Sequence, residues 1–373
     1  MKGCFFMKKK TILAVLVCSV LLTACGNKKP EATVTDEGTT VAVTDDVSEV
    51  PDTEEVIPGE EALATKEPEE PEDDLYYKFN PHAYPQKLRD AYGEEEMEAF
   101  LNLVDALRAG EDSFKCANRD VYEWCFSGGP LDDLFPVARF TISGDFLDGY
   151  SDGVGHFTYD IPKEEFLQKQ ADFEKMVEDI LKENVDKTYT DFEKCIALYE
   201  YMVDNYTYDW QEYEDNDLEK MFDIPRGTYG TYRTFNDKTG ICDDLSAVYS
   251  YLLLQCGVES MKYEGHVGEG HAWSYVTLDG VGYFVDPTWG LNENGNPDLT
   301  FFMMTEADRE LDFGDQMDPI MYYYDHENLN VDFSAKDDRY SELHGGEFES
   351  LDRDNKILYY SVEGEEKEFH YDA

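Results

Sequence analysis

The feature that most constrains the fold is a predicted helix followed closely by a predicted β-hairpin. After the segment Gly-Ile-Cys-Asp-Asp-Leu-Ser at 240–246, apolar residues recur with helical spacing up to Gly257, a typical C-cap residue. Apolar runs at 271–278 and 283–286 then flank Asp279-Gly280, a strong signal for a two-residue hairpin turn. We therefore expect an α+β fold in which one helix leads into an antiparallel strand pair.

The N-terminus has the pattern of a secretory signal. Four lysines precede an apolar stretch at 12–22, which is about half the length needed to span a bilayer. The stretch ends in Leu-Thr-Ala-Cys-Gly at 22–26, which resembles the lipobox of bacterial lipoproteins, in which the cysteine is acylated. The resemblance implies anchoring through lipid on Cys25 at the extracellular face of a bacterial cell membrane. An ordinary secretory signal and an uncleaved membrane helix are the alternatives.

The composition excludes some classes of partner. Of the 373 residues, 83 are acidic and 31 are Lys or Arg, so the formal net charge is -52. Nucleic acid is excluded as a partner because its phosphates are bound by clustered Lys and Arg, and an acidic substrate is disfavoured. Residues 27–74 are rich in Glu, Asp, Thr, Val and Pro and show no hydrophobic period, so they are expected to form a disordered tether.

The cysteines beyond the predicted signal and Cys25 number five, and an odd count leaves at least one thiol free unless chains cross-link. Cys116 and Cys125 are close enough in sequence to pair, but the sequence leaves this open. Cys195 and Cys256 lie on apolar faces of predicted helices and are expected to be core residues. The fifth cysteine has a different environment.

Cys242 falls in the first turn of the predicted helix. A thiol attacks carbonyl groups only as the thiolate, and at an ordinary pKa near 8.5 only a few per cent is ionised at neutral pH. The partial positive charge of a helix N-terminus and a nearby imidazolium both lower a thiol pKa. Asp243 and Asp244 would act in the opposite sense if their side chains point toward the sulfur.

The hairpin predicts that His271 and Asp286 lie on the same face of the sheet. A two-residue loop pairs Leu278 with Val281, and the positions 271 and 286 sum to the same parity as that pair. Such diagonal neighbours lie about 7–8 Å apart at the backbone, within reach of an imidazole and a carboxylate. Asp286 is therefore expected to contact one ring nitrogen of His271 while the other faces Cys242, as in a catalytic triad.

Three motifs in this order resemble the transglutaminase-like superfamily, a branch of the papain-like cysteine enzymes. They are Gly-Ile-Cys at 240–242, His-Ala-Trp at 271–273 and Val-Asp-Pro-Thr-Trp at 285–289. The resemblance covers 190–304 well and 85–189 more loosely. It implies an α+β papain-like fold in which the nucleophile helix packs on an antiparallel β-sheet.

By resemblance, Cys242 is the nucleophile, His271 the general base and Asp286 the residue that orients the base. The family pattern also implies an oxyanion donor from the Cys242 backbone N–H and from a side chain upstream. Tyr229 and Tyr232 are two candidates for that side chain, and the sequence does not separate them.

The implied chemistry is acyl transfer on an amide of a peptide or protein, including cell-wall peptide. Water as acceptor would make the chain a peptidase or amidase, which we favour, and a lysine acceptor would make it a cross-linking transglutaminase. A non-catalytic module that binds peptide or glycan is the competing class. Trp273 and Trp289 are expected to shield the triad from water, with substrate binding as the alternative.

No cofactor and no metal are expected. A site formed by His266, His271 and Cys242 is conceivable but lacks the usual ligand spacing. The oxygen-rich segment 292–298 lacks calcium-loop spacing and is better explained as a turn.

Patterns along the rest of the chain predict its organisation. Helices are expected over 97–107 and 166–180, strands and loops over 122–160, and a capping box at Thr190 and Glu193. The expected divisions are a lipoprotein signal peptide (1–24), a lipid anchor and acidic tether (25–75), an N-terminal helical and mixed region (76–189), a transglutaminase-like catalytic core (190–305) and an acidic C-terminal β extension (306–373).

Overall fold

The computed structural model describes residues 76–216, 220, 223–266, 270–291, 296–313 and 331–372. The predicted signal peptide, Cys25 and the tether lie outside the described residues, as do most of the oxygen-rich turn and the side chain of His266. Residues Glu72–Ala373 form one compact unit, and the predicted subdivision of this unit stays a prediction. No helix among the described residues combines the length and apolarity needed to cross a membrane.

Helices and short strands alternate through most of the unit, and a small sheet ends it. The helices are α1 (Gln86–Tyr92), α2 (Glu94–Ala109), α3 (Arg119–Cys125), α4 (Gly129–Leu134), α5 (Lys163–Asn184), α6 (Asp191–Asn205), α7 (Trp210–Asp215), α8 (Thr231–Asp237), α9 (Cys242–Gln255) and α10 (Glu306–Phe313). The strands are β1 (Ser113–Lys115), β2 (Ile142–Gly144), β3 (Tyr150–Ser151), β4 (Val154–Tyr159), β5 (Thr207–Tyr208), β6 (Thr239–Gly240), β7 (Glu259–His266), β8 (Gly270–Leu278), β9 (Val281–Val285), β10 (Glu347–Asp352), β11 (Ile357–Val362) and β12 (Glu365–His370).

The N-terminal region confirms the predicted amphipathic helices as α2 and α5, and it corrects one prediction. Residues 122–160 contain α3, α4 and a 3-10 turn besides strands β2 to β4. The side chain of Asn118 accepts a hydrogen bond from the N–H of Val121 at 3.0 Å, so it caps α3. This cap and the buried residues Val121, Tyr122 and Trp124 stabilise a helix that is too short to show a helical period in the sequence.

The centre of the unit is α9 packed on a three-stranded antiparallel sheet of order β7-β8-β9. This confirms the expected α+β arrangement of a helix on an antiparallel sheet. The β8–β9 turn pairs Leu278 with Val281, as predicted, and Asp279 and Gly280 adopt φ of 51° and 79°. Both values are positive, as the tight primed hairpin turns require.

The C-terminal residues join the unit at α6, through ring contacts of Phe192 with Tyr340 and Tyr371 and through one buried carboxylate. Glu193 forms the predicted capping box with Thr190. Its carboxylate also accepts hydrogen bonds from Lys356 Nζ at 2.9 Å and from the Tyr371 hydroxyl at 2.6 Å. The sheet β10-β11-β12 is therefore fastened to the core, and the extension that contains it begins with α10 rather than with a strand.

Candidate active site

The backbone around Gly240 positions Cys242. Strand β6 pairs in parallel with β5 and leads directly into α9, of which Cys242 is the first residue. A Cβ atom at Gly240 would lie 2.5 Å from Thr234 Oγ1 and 3.0 Å from the Cβ of Asp244. Only glycine therefore fits at this approach between α8 and α9. As the first helical residue, Cys242 has a backbone N–H without an intrahelical acceptor, as an oxyanion donor requires.

His271 and Asp286 are brought together as the hairpin parity predicts. His271 Nε2 lies 2.7 Å from Asp286 Oδ2, and both side chains are buried. An ionised carboxylate only accepts hydrogen bonds, so in the neutral imidazole Nε2 carries the proton and Nδ1 is the basic nitrogen. The side-chain contact that the sequence predicted is thus confirmed.

The thiol of Cys242 lies beside strand β8. It accepts a hydrogen bond from the backbone N–H of Ala272, the residue that follows His271. The sulfur therefore lies next to the peptide that carries the imidazole. This contact unites the start of α9 with the His271–Asp286 pair in one site.

Burial opposes the lowering of the thiol pKa that a helix N-terminus favours. Although the residue is only half-buried, protein atoms surround the sulfur, and this burial raises the pKa of Cys242 to about 12. The Ala272 N–H opposes this effect of burial, while Asp243, Asp286 and Asp244 raise the pKa further. A raised pKa favours the neutral thiol at about pH 7, so formation of the thiolate requires a base that accepts the proton.

The carboxylate of Asp286 makes four polar contacts although the residue has no exposed surface. Oδ1 accepts from the backbone N–H groups of Thr288 and Trp289, both at 3.0 Å. Oδ2 contacts His271 and lies 3.0 Å from Arg309 Nη2. Burial alone would raise the pKa of Asp286, but the neighbouring His271 and Arg309 outweigh it and lower the pKa to about 2.

Arg309 is the site residue that the sequence analysis missed. It lies on α10, in the segment expected to be an added β element without a part in the site, and it is fully buried. Its guanidinium carbon lies 4.3 Å from the ring centroid of Trp273 and 4.5 Å from that of Trp289. A lone basic residue in an acidic helix is the one local signal that could have found it.

The two tryptophans cover the imidazole. The ring of Trp289 stacks on His271 with centroids 4.4 Å apart and an angle of 15°, and the ring of Trp273 lies at 5.9 Å. Trp273 is fully buried and Trp289 half-buried. This placement agrees with shielding, while a part of either ring in substrate binding stays a prediction.

The two tyrosines proposed as oxyanion donors contact residues outside the triad. The hydroxyl of Tyr229 donates to Asp215 at 2.6 Å. The ring of Tyr232 packs against Phe173 of α5, with centroids 5.8 Å apart. The geometry described here brings neither of them to the sulfur, and their role stays a prediction.

A second group of charged residues surrounds the N-terminus of α9, and we call it the acid cluster: Asp132, Asp133, Glu212, Asp243, Asp244, Glu264 and Lys262. Lys262 Nζ lies 2.8 Å from Asp243 and 3.1 Å from Asp133, and its side chain is 1% exposed. The carboxyl groups of Asp244 and Glu212 hydrogen-bond to each other, and Asp244 also accepts from the N–H of Ile241 at 3.3 Å.

Burial makes several carboxyl groups of the acid cluster harder to ionise. Burial raises the pKa of Asp132 to about 6 and that of Glu212 to about 7, and it raises the pKa of Asp244 further. Oxygen atoms of Asp132, Asp243 and Asp244 come within 4.8 Å of one another, which is a conceivable cation site. The ammonium of Lys262 already supplies a positive charge there, so we assign no metal.

The remaining cysteines among the described residues are free thiols, including the pair Cys116 and Cys125 whose bonding the sequence left open. Cys195 and Cys256 are buried, which confirms their assignment to the core.

No family model and no curated protein matches the chain. One similar solved structure is a transglutaminase, at 18% identity over 36% of this chain and 35% of that chain, with a TM-score of 0.28. Another is a candidate cysteine protease from Cytophaga hutchinsonii, at 15% identity over 27% of this chain and 32% of that chain, with a TM-score of 0.21. A third is LapG from Legionella pneumophila, at 13% identity over 48% of this chain and 83% of that chain, with a TM-score of 0.26.

The first two neighbours bear the names of the enzyme classes that the sequence motifs resemble. The chain spans about a third of the length of each of these two. Such partial superpositions do not assign an activity, which must be argued from the geometry of the site.

Proposed function

We propose that this chain is a transglutaminase-like cysteine enzyme that cleaves amide bonds of peptides or proteins through Cys242, His271 and Asp286. The observation that carries the proposal is the 2.7 Å contact between His271 and Asp286, beside a helix-terminal thiol bonded to the Ala272 N–H. These are the three roles of nucleophile, base and orienting carboxylate.

The raised thiol pKa specifies how the first step would run. On attack, the Cys242 proton moves to His271 Nδ1 as the sulfur forms a bond to the carbonyl carbon. His271 then protonates the departing amine, which leaves a thioester on Cys242. Water, deprotonated by His271, attacks the thioester, and the acid product leaves as the thiol regains its proton. A lysine amine in place of water would give a cross-link.

Hydrolysis at a bacterial surface is the form of the reaction that we favour. The lipobox resemblance supports a lipid anchor on Cys25 and an extracellular location, where water is the abundant acceptor. The charge of -52 favours neutral or basic peptides over acidic ones as substrates. Cell-wall peptide remains among the substrates to be tested.

The test is incubation of the full chain with peptide libraries and unfolded proteins, with and without an added primary amine, followed by mass spectrometry. We expect new peptide termini that Cys242→Ala abolishes and that Cys116→Ala, a buried thiol outside the site, preserves. Amine incorporation without new termini would favour the cross-linking reaction. Absence of both products, with normal folding, would contradict the enzyme proposal.

The second candidate function is a surface module that binds peptide or glycan without catalysis. The raised pKa of the Cys242 thiol favours it, because a resting thiol is a weak nucleophile. This candidate predicts that Cys242→Ala binds ligand as the natural protein does. A thioester trapped on Cys242 during incubation with peptides would exclude it.

A further inference from the structure

Arg309 is a fully buried cation that reaches the triad from outside the three motifs. A buried guanidinium must be paired, because removing an isolated charge from water costs far more than a folded protein can recover elsewhere. Arg309 forms an ion pair with Asp286 at 3.0 Å. The charge of Asp286 is therefore balanced even when His271 is neutral.

The guanidinium is held in place by stacking. It lies against the rings of both Trp273 and Trp289, at 4.3 and 4.5 Å, and Trp289 stacks in turn on His271. Planar guanidinium groups bind well to aromatic faces and to carboxylates at the same time. Arg309 and the imidazole both contact the ring of Trp289 and the same oxygen of Asp286, so Arg309 helps to hold the two groups that contact the base.

Helix α10 presents Arg309 from a well-defined start. Thr305 and Asp308 cap the helix through hydrogen bonds of 2.6 to 3.1 Å. The backbone of Met304, just before the cap, pairs with Phe284 of β9. The helix is therefore tied to the strand that ends next to Asp286.

We propose that Arg309 is a positioning residue of the triad, which fixes the Asp286 carboxylate and keeps the Cys242–His271 pair in its neutral form until a substrate binds. This inference deepens the proposed function and rests on it. Without Arg309, the imidazolium would be the main cation near Asp286. A proton would then pass more readily from the thiol to His271, even though Asp243, Asp244 and Asp286 all oppose thiolate formation.

The experiment compares Arg309→Met, Arg309→Lys and Arg309→Gln in the full chain. The alkylation rate of Cys242 is measured from pH 5 to 10 by peptide mass spectrometry, together with the ring NMR signals of His271. Arg309 and His271 contact the same Asp286 oxygen, so loss of the guanidinium removes a positive charge beside the imidazole and favours its protonated form. A nearby charge is worth about one pKa unit or more, so we expect Arg309→Met to raise the alkylation rate at pH 8 about tenfold. Arg309→Gln should behave similarly, and Arg309→Lys should retain the natural profile.

Arg339→Met serves as the matched control, because Arg339 lies on the same C-terminal segment and pairs with Asp337 at the surface. It should leave both readouts unchanged. Equal profiles for Arg309→Lys and Arg309→Gln, or an unchanged profile in Arg309→Met with lower stability, would overturn the proposal and leave Arg309 as a packing residue. If Arg309→Met does not fold, the comparison of Arg309→Lys with Arg309→Gln tests the proposal.

These readouts require no substrate. Failure of the proposed function would appear as absent turnover in the natural protein, whatever the Arg309 variants do. Failure of this inference would appear as unaltered Cys242 and His271 titration in the variants, even if the natural protein turns substrate over.

Discussion

Two buried groups of charges flank Cys242, and they accommodate burial in opposite ways. At the triad, Asp286 is surrounded by His271, Arg309 and two backbone N–H groups, and its pKa falls to about 2. In the acid cluster, Lys262 pairs with three of the six carboxyl groups and Arg233 lies near Glu212, while burial raises the pKa of Glu212 to about 7. The triad keeps the carboxylate of Asp286 ionised, whereas the acid cluster raises the pKa of carboxyl groups such as that of Glu212.

The difference explains why the thiol is neutral at rest. Negative charge in the first turn of α9 opposes thiolate formation and offsets the favourable helix terminus. Negative charge at Asp286 supports an imidazolium but is already balanced by Arg309. Reactivity therefore depends on transferring one proton across the site, and each region can be altered separately.

The largest expected effect is at the triad. Asp286→Ala leaves the buried guanidinium of Arg309 without its carboxylate, so we expect a loss of about 3–5 kcal/mol in the free energy of unfolding, measured in urea. Turnover should disappear with it. Asp337→Ala removes the half-buried partner of the exposed Arg339 and should cost at most about 1 kcal/mol. Similar losses in the two variants would contradict the description of Arg309 as a buried, paired cation.

The double variant Asp286→Ala with Arg309→Met sharpens this result. Removing both charges eliminates the unpaired ion, so the double variant should be more stable than Asp286→Ala alone, by about 1–3 kcal/mol. Equal stability of the double and single variants would show that Arg309 finds another carboxylate or water.

The second largest effect concerns pH. The folded-state pKa values of Asp132 and Glu212 are raised to about 6 and 7, so between about pH 4 and 7 the folded protein binds protons that the unfolded chain releases. The free energy of unfolding should therefore fall as pH rises through this window, on the order of 3 kcal/mol for each carboxyl group. Urea unfolding at pH 5 and pH 8 measures the fall.

Asp132→Asn and Glu212→Gln should each reduce that fall. Asp286 affects stability with the opposite sign, because its folded-state pKa is lowered. Its contribution to the free energy of unfolding is present above about pH 4 and is lost as pH falls toward 2. Stability that rises from pH 5 to pH 8 in the natural protein, or an unchanged fall in both variants, would contradict the account of the acid cluster.

The contrast between the two regions also separates what the sequence predicts from what it does not. Cys242, His271 and Asp286 were predicted because a helix start, a hairpin turn and strand parity are local patterns that fix where side chains point. Arg309 was not predicted, because its burial depends on how α10 packs against a sheet whose strands lie about 20 to 50 residues earlier in the chain. The same holds for Lys262, whose partners come from three separate elements.

The surroundings of the Cys242 thiol are predicted only in part, because local and tertiary effects combine there. The sequence predicts that Asp243 and Asp244 oppose thiolate formation if their side chains face the sulfur. It could not show that Asp244 instead bonds to Glu212 and the Ile241 N–H, or how strongly burial acts on the thiol. The helices α3 and α4 were missed because one or two turns do not establish a period.

The smallest expected effect tests the acid cluster at the thiol itself. Asp243 is the carboxylate with the largest effect on the pKa of Cys242, and it also contacts Lys262. Asp243→Asn should therefore lower that pKa and raise the Cys242 alkylation rate at pH 8 by about three- to tenfold, that is, by about 0.5–1 pKa unit. Asp133→Asn is the matched control, since Asp133 contacts the same ammonium at 3.1 Å.

The control should change alkylation less than Asp243→Asn does. If both variants accelerate alkylation equally, the thiol responds to the release of Lys262 rather than to the charge beside it. If neither does, burial alone sets the thiol pKa, and the acid cluster contributes to stability but not to the reactivity of Cys242. In that case the triad side, through Arg309 and Asp286, would be the place where the protein controls transfer of the thiol proton.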